Sequence, residues 1–175
     1  MKRTTIQSHI RGNVDALIDV HTHTGIDQIL FESGSIPYAQ SGEDLVSRLD
    51  AASLGYAVTF PFVYTEYFQK HAFRRGDFRK DRNSSSQSPY ELENLRLMRE
   101  LYDALPTLGR RLLPFAMFDP SRRVRQQCGA LEALCGQYPV FGLKTASTYM
   151  QSPVTDLLRG RRELLQFAAE RGLPL

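Results

Sequence analysis

The chain has 175 residues, of which 42% are hydrophobic and 23% charged, with a net charge of +3 and far more Arg than Lys. That length suits one sizeable core, and the composition is that of a globular domain rather than a disordered or tail-bearing chain. The mild positive excess falls well short of a nucleic-acid footprint, and no apolar run approaches the roughly 20 residues of a membrane span.

The first residues, "MKRTTIQSHIRGNVD", contain no apolar h-region, so no signal peptide is expected. Residues 15–22, "DALIDVHT", are predicted as the first strand. Ser41 and Asp44 form a capping-box pattern opening a helix to about Leu54, with Leu45, Leu49 and Ala52 on its inner face and Gly55 ending it. "YAVTFPF", 56–62, is the second strand, followed by a long polar segment over 63–88. Ser88, Pro89 and Glu91 signal the start of the next helix, with Leu92, Leu95, Met98 or Arg99, Tyr102 and Leu105 as its apolar stripe. "RLLPFAMFD", 111–119, is the third strand, and Pro120 opens a helix that turns Val124, Cys128, Leu131 and Cys135 inward. "PVFGLKT", 139–145, is the fourth strand. Ser152 and Pro153 start a fourth helix closed by Gly172, and "LPL" begins a fifth strand.

This alternation predicts an α/β fold with parallel strands and helical crossovers. The near-continuous apolar strands suit a sheet covered on both faces. An open doubly wound sheet and a (β/α)8 TIM-like barrel both fit. No phosphate-cradling glycine motif follows a strand, which removes support from nucleotide-binding versions of the open sheet. A full barrel takes about 250 residues. Four βα units with a fifth strand beginning make residues 1–175 the N-terminal half of a barrel, expected to be an incomplete and inactive fragment with two apolar sheet edges. Cys128 and Cys135, seven apart on a helix, stand about 10 Å from each other, too far for a disulfide. They read as small buried hydrophobes in a reducing cytosol, so a cytoplasmic location is expected.

The chemistry concentrates in "LIDVHTHTG", residues 17–25. Alternate strand residues share a face, so His21 and His23 point the same way at the end of the first strand, where parallel α/β folds place their sites. Two neutral imidazoles about 6–7 Å apart along a strand can converge on one divalent ion. Asp19 either orients a histidine or bonds to nearby backbone. Lys144 shares a face with Val140 and Gly142, while bulky Phe141 and Leu143 are expected to pack on helices. Lys144 then points to the barrel axis, as a group with a shifted proton affinity or as an ammonium reaching from the strand end to water.

"IDVHTH" resembles the first-strand motif of the amidohydrolase superfamily. "VFGLKTASTYMQSPVTDLLRGRRELLQFAAERGLPL" and "LLPFAMFDP" resemble the fourth βα unit and third strand of its amidohydrolase-related branch, which also contains decarboxylases. The resemblance covers nearly the whole chain and is weakest over 63–88. It implies that His21 and His23 are metal ligands and that Lys144 occupies the family's fourth-strand lysine position. A lysine there can be carboxylated and bridge two metals; with the single metal usual in this branch it need not be a ligand. Many relatives follow this lysine with His-Pro, where this chain has Thr145-Ala146. The implied cofactor is a divalent ion, zinc first and manganese second, and the implied activity is a metal-dependent hydrolase acting on a small, carboxylate-bearing substrate. A decarboxylase of the same family and a non-catalytic binding module derived from the barrel are the alternatives. Phosphoesterases of the polymerase-and-histidinol-phosphatase type also begin D-x-H-x-H-T, but they carry Thr-Asp-His where this chain has "TFPF".

The basic segment 69–87, with Phe73 and Phe78 interleaved, reads either as a lid over the site within the 63–88 loop or as a solvated insertion, with His71 on the surface. The expected partner is a small-molecule substrate, with no nucleic acid and no membrane; association into a homo-oligomer is left open.

Overall fold

The computed structural model describes residues 6–10, 16–27, 39–62, 69–73, 75–77, 79, 81, 88–150, 152–158 and 162–175. In chain order the elements are α1 (Ile6–His9), β1 (Ile18–Ile26), β2 (Ala39–Gln40), α2 (Gly42–Ala51), β3 (Tyr56–Pro61), α3 (Lys70–Phe73), α4 (Glu91–Arg99), β4 (Leu112–Met117), α5 (Val124–Gln137), β5 (Gly142–Lys144), α6 (Ser147–Met150) and α7 (Glu163–Arg171). The fold is α/β, with one five-stranded mixed sheet in the order β2-β1-β3-β4-β5. β1, β3, β4 and β5 are parallel neighbours, and the short β2 runs antiparallel to β1 through Gly25 and Ile26. Among the described residues no helix is long and apolar enough to cross a membrane.

Alternation along the strands divides the core into two layers. On one face Leu45 and Leu49 of α2 pack with Ala57 and Leu112, while Met98, Leu131, Leu164 and Phe167 of α4, α5 and α7 pack with Ala116, Phe118 and Leu143. All the long helices therefore lie on the same face. The opposite face carries Val58, Phe60, Leu113, Met117 and Phe141, covered by Tyr90, Met150 and the partly buried Ile6. Phe141 thus departs from expectation. It packs on the face away from Leu143, because β5 begins only at Gly142 and the strand alternation does not extend back to it. A side chain at Gly142 would collide with the Phe115 ring, so glycine there lets the aromatic residues fill this face.

α2 starts as its sequence predicts. Ser41 Oγ accepts from the Asp44 N–H at 3.0 Å, and the Asp44 carboxylate accepts from the Ser41 N–H at 3.3 Å. Gly55 does not end the helix. Ser53 turns the chain out with φ +55, and Gly55 instead permits close approach, since a Cβ there would sit 2.7 Å from that of Ala16.

α4 differs more. Its N-cap is Tyr90, in a left-handed conformation, so Ser88 does not cap it. Its buried face is Glu93, Asn94, Leu97, Met98 and, one turn on, Leu101, whereas Leu92 is 36% exposed. The cause is Asn94. Its amide donates to Met117 O at 2.9 Å and accepts from Met117 N at 2.7 Å, and this pair of bonds rotates the helix away from the expected stripe that begins at Leu92. The helix continues as one wider turn over Glu100–Ala104 with i→i+5 geometry. This turn brings Glu100 Oε1 to 2.7 Å from Gly42 N, so a carboxylate from α4 caps α2. A Cβ at Gly42 would meet Leu108 Cδ1 at 2.6 Å, so alanine there would make that leucine shift.

The remaining departures are at element ends. β4 stops at Met117 and α5 begins at Val124 rather than at Pro120. Between them Asp119 is held by Gln127, which accepts from its N–H at 2.8 Å and donates to its carbonyl at 2.7 Å. The predicted fourth helix is two pieces: a tight turn over Val154–Leu157, then α7, closed by Gly172 at φ +62 as expected. "LPL" forms no strand, but Leu143 N donates to Pro174 O at 2.8 Å, so it runs beside β5. Cys128 and Cys135 are free, and burial pushes the Cys135 thiol up to about 11.

Replacing Asn94 by Ala strips both bonds from the Met117 backbone. At about 1–3 kcal/mol for each buried group left unsatisfied, Asn94→Ala is expected to lower the unfolding free energy by about 3 kcal/mol. Urea titration of both proteins checks this, and a loss under about 1 kcal/mol would show that the clamp is dispensable.

Candidate metal centre

β1 extends well beyond its predicted end, so His21 and His23 sit within the strand rather than at its tip. Its ladder to β3 runs Ile18 to Tyr56 and Asp19 to Ala57, then resumes at Thr22 with Thr59 and His23 with Phe60. Three residues of β1 thus face two of β3, which is a bulge. Asp19 stabilises it: its Oδ1 accepts the His21 N–H at 3.0 Å. Of the two roles expected for Asp19, this is the backbone one. Beyond the bulge Thr22 is buried and donates its hydroxyl to Val58 O at 2.8 Å.

Both histidines border one aromatic ring. The His21 and His23 ring centroids lie 4.9 and 4.4 Å from that of Phe60, each edge to face, and 5.5 Å from each other. His23 also stacks on Phe62 at 4.6 Å with the planes 8° apart. Its Nδ1 lies 3.3 Å from Pro61 O. A carbonyl can only accept, so Nδ1 carries the hydrogen and Nε2 keeps its lone pair. Gln40 donates its amide to His23 O at 2.7 Å and ties β2 to the same point. Lys144, opposite Met117 in the β4–β5 ladder, places Nζ 4.8 Å from the Phe60 ring centre. The histidines of β1 and the lysine of β5, distant in sequence, thus meet around Phe60.

Burial holds His23 far below the ordinary imidazole value, at about 4. The neighbouring His21 and Lys144 lower it further, and the Pro61 bond and Asp27 oppose them. At neutral pH His23 is a neutral imidazole, the form that binds metal. An ion about 2.1 Å from each of two imidazole nitrogens sets the ring centroids about 5 Å apart, so the observed separation suits a shared ion. The pair supplies two ligands; among the described residues no group of three or more His, Cys, Asp or Glu is placed to hold a metal. A pocket of about 400 Å³ opens beside the pair, between β1 and α2, bordered by Asp19, His21, Gln40, Arg48 and Phe62.

Phe60 and Phe62 organise this site, and sequence reasoning passed over them. The signal was present in "TFPF", where two aromatics two residues apart stand at the end of β3 and just beyond it. His71 is exposed, as expected. The lid assignment rests on a segment that is only partly placed. Gln69 N donates to Arg79 O at 2.8 Å and Arg79 pairs with Asp77, but residues 63–68, 74, 78, 80 and 82–87 lie outside the described residues.

The lowered His23 pKa has a defined consequence for stability. Below about pH 6.5 the unfolded chain binds a proton at His23 that the folded chain refuses until about pH 4. With a chelator present, stability is expected to fall with pH across that window, and His23→Gln to flatten the dependence. Urea midpoints at several pH values test this; equal slopes for the two proteins would refute the burial assignment. The chain matches no protein-family model, no curated protein and no solved structure.

Proposed function

We propose that His21 and His23 are two ligands of one divalent ion, zinc in the first place and manganese in the second, in a metal-dependent hydrolase of the amidohydrolase-related type. The observation that carries this reading is the pair of imidazoles on one face of β1, 5.5 Å apart, with His23 neutral and its Nε2 left for a ligand. When bound, the ion would polarise a substrate carbonyl or bring the pKa of a coordinated water to about 7. The chain's own residues do the positioning. The β1 bulge turns His21, the Pro61 carbonyl and the Phe62 ring fix His23, and Lys144 sets a cation on the other side of Phe60. That cation suits a small substrate with a carbonyl or carboxylate oxygen, which leaves decarboxylation as the sister reaction of hydrolysis.

In this reading the sheet is the first half of a (β/α)8 barrel. The chain-ordered parallel strands, the long helices on a single face and the Leu143–Pro174 bond beside β5 support it. The free cysteines suit the cytoplasm. A non-catalytic module is the second reading, favoured by the two-ligand count among the described residues.

The test is zinc uptake by equilibrium dialysis. The double variant His21→Ala, His23→Ala is expected to bind zinc at least about tenfold more weakly, since loss of even an outer partner of a ligand costs that much. Its melt should stay cooperative. Lys144→Met should leave stoichiometry unchanged if the site holds a single ion. Unaltered zinc uptake by the double variant would overturn the assignment.

A further inference from the structure

Asp119 stands in the loop between β4 and α5, and it is wholly buried. Burying a carboxylate is unfavourable unless hydrogen bonds satisfy it. Its Oδ1 accepts the Ser121 N–H at 2.8 Å and the Ser152 hydroxyl at 2.5 Å, and Arg122 Nε stands 4.0 Å from Oδ2. The Asp119 backbone is fixed from both sides by Gln127. The Ser121 bond closes a local turn. The Ser152 bond reaches 33 residues along the chain, to the segment that follows β5.

That long-range bond ties down the exit of β5. The strand runs only from Gly142 to Lys144, and Lys144 is its last residue. Phe118 N donates to Lys144 O at 3.0 Å, and the very next residue, Asp119, takes Ser152. Two adjacent residues therefore grip both ends of the segment that leaves the sheet at Lys144 and comes back at Ser152. Between the grips, Ala146 and Met150 pack on the face of the sheet that carries Phe60. Met150 N donates to Ala146 O at 2.8 Å, and Ser152 N to Ser147 O at 3.1 Å. A lysine ammonium sits on a flexible four-carbon stem, so its place depends on how firmly its backbone is held. A strand end whose following chain is loose opens locally at little cost.

We propose that Asp119 is a positioning residue for Lys144: by holding Ser152 it closes the segment beyond β5 and keeps the lysine ammonium 4.8 Å from the centre of the Phe60 ring. Its importance for chemistry rests on the reading of His21, His23 and Lys144 as one site, in which the ammonium meets a substrate oxygen.

Two signals of the labelled, metal-free chain report on this. One is hydrogen exchange of the Phe118 amide, taken relative to the Ala57 amide, which bonds to Arg111 O and which a loss of overall stability would speed equally. The other is the upfield displacement that the Phe60 ring imposes on the Lys144 ε-methylene protons, assigned by its absence in Lys144→Met. Ser152→Ala is expected to speed Phe118 exchange at least about tenfold relative to Ala57, the effect of one charge-assisted hydrogen bond, and to reduce the displacement to about half. Ser121→Ala cuts the neighbouring 2.6 Å bond to Asp156 and spares the Asp119–Ser152 bond, so it is expected to change neither signal. If Ser152→Ala leaves both signals unchanged, or if Ser121→Ala moves them as far, the bond is a structural tie alone and the proposal fails. Neither signal involves zinc, so this outcome and that of the dialysis experiment are read separately: failed zinc uptake leaves the placement of Lys144 standing, and failed placement leaves the metal assignment standing.

Discussion

A parallel ladder has to keep step with its neighbour, and β1 breaks step once. Between Asp19 and Thr22 it spends one residue more than β3. The extra residue is held by the Asp19 carboxylate on the His21 N–H and by the Thr22 hydroxyl on the Val58 carbonyl. Without the bulge, alternation alone would set the two histidines, and a one-residue slip would send every side chain beyond it to the other face. With it, His23 falls opposite Phe60 and His21 turns to the same ring. The aromatic stack, the Pro61 bond and the approach of Lys144 all depend on that register.

The sequence was most legible where a local signal and the tertiary outcome coincide. The Ser41–Asp44 pair fixes the start of α2 through bonds within four residues, so tertiary packing has little to alter. Gly172 closes α7 because the left-handed conformation it adopts is accessible to glycine without strain. Legibility failed where polar residues entered the core. Counting apolar residues along α4 favours Leu92, yet Asn94 finds two backbone partners at Met117 that no periodicity can reveal. At the site the two histidines were plain from spacing and position. Their platform was not, because Phe60 and Phe62 look like any strand aromatics until β1 is laid against β3.

The face of the sheet away from the long helices has its own lesson. Half of a closed barrel, taken alone, would leave its inner side chains bare. Here Val58, Phe60, Leu113, Met117 and Phe141 are each nearly inaccessible, because Tyr90, Met150 and Ile6 close over them. α1 takes part through His9, which stacks edge-on against Phe141 at 5.0 Å and reaches the Arg110 carbonyl at 3.1 Å. A short N-terminal turn therefore acts as a stopper at the end of the strands opposite the histidines.

The wider turn at Glu100–Ala104 ties the evolutionary fates of distant positions together. Such a turn holds one residue more than an ordinary helical path, so deleting a residue from it would turn the segments before and after it by about 100° relative to each other. α2, which meets Glu100 at the start of the turn and Leu108 after it, would lose one of these contacts, although the deletion lies some sixty residues away in the chain. A Cβ at Gly42 would press on Leu108, and one at Gly109 would touch the Tyr102 ring at 2.5 Å. Positions 42, 100 and 108, and positions 102 and 109, constrain one another through direct contacts. Among descendants of this sequence they are expected to change in concert, and alignments that place a gap at 100–104 should carry compensating changes at residue 42.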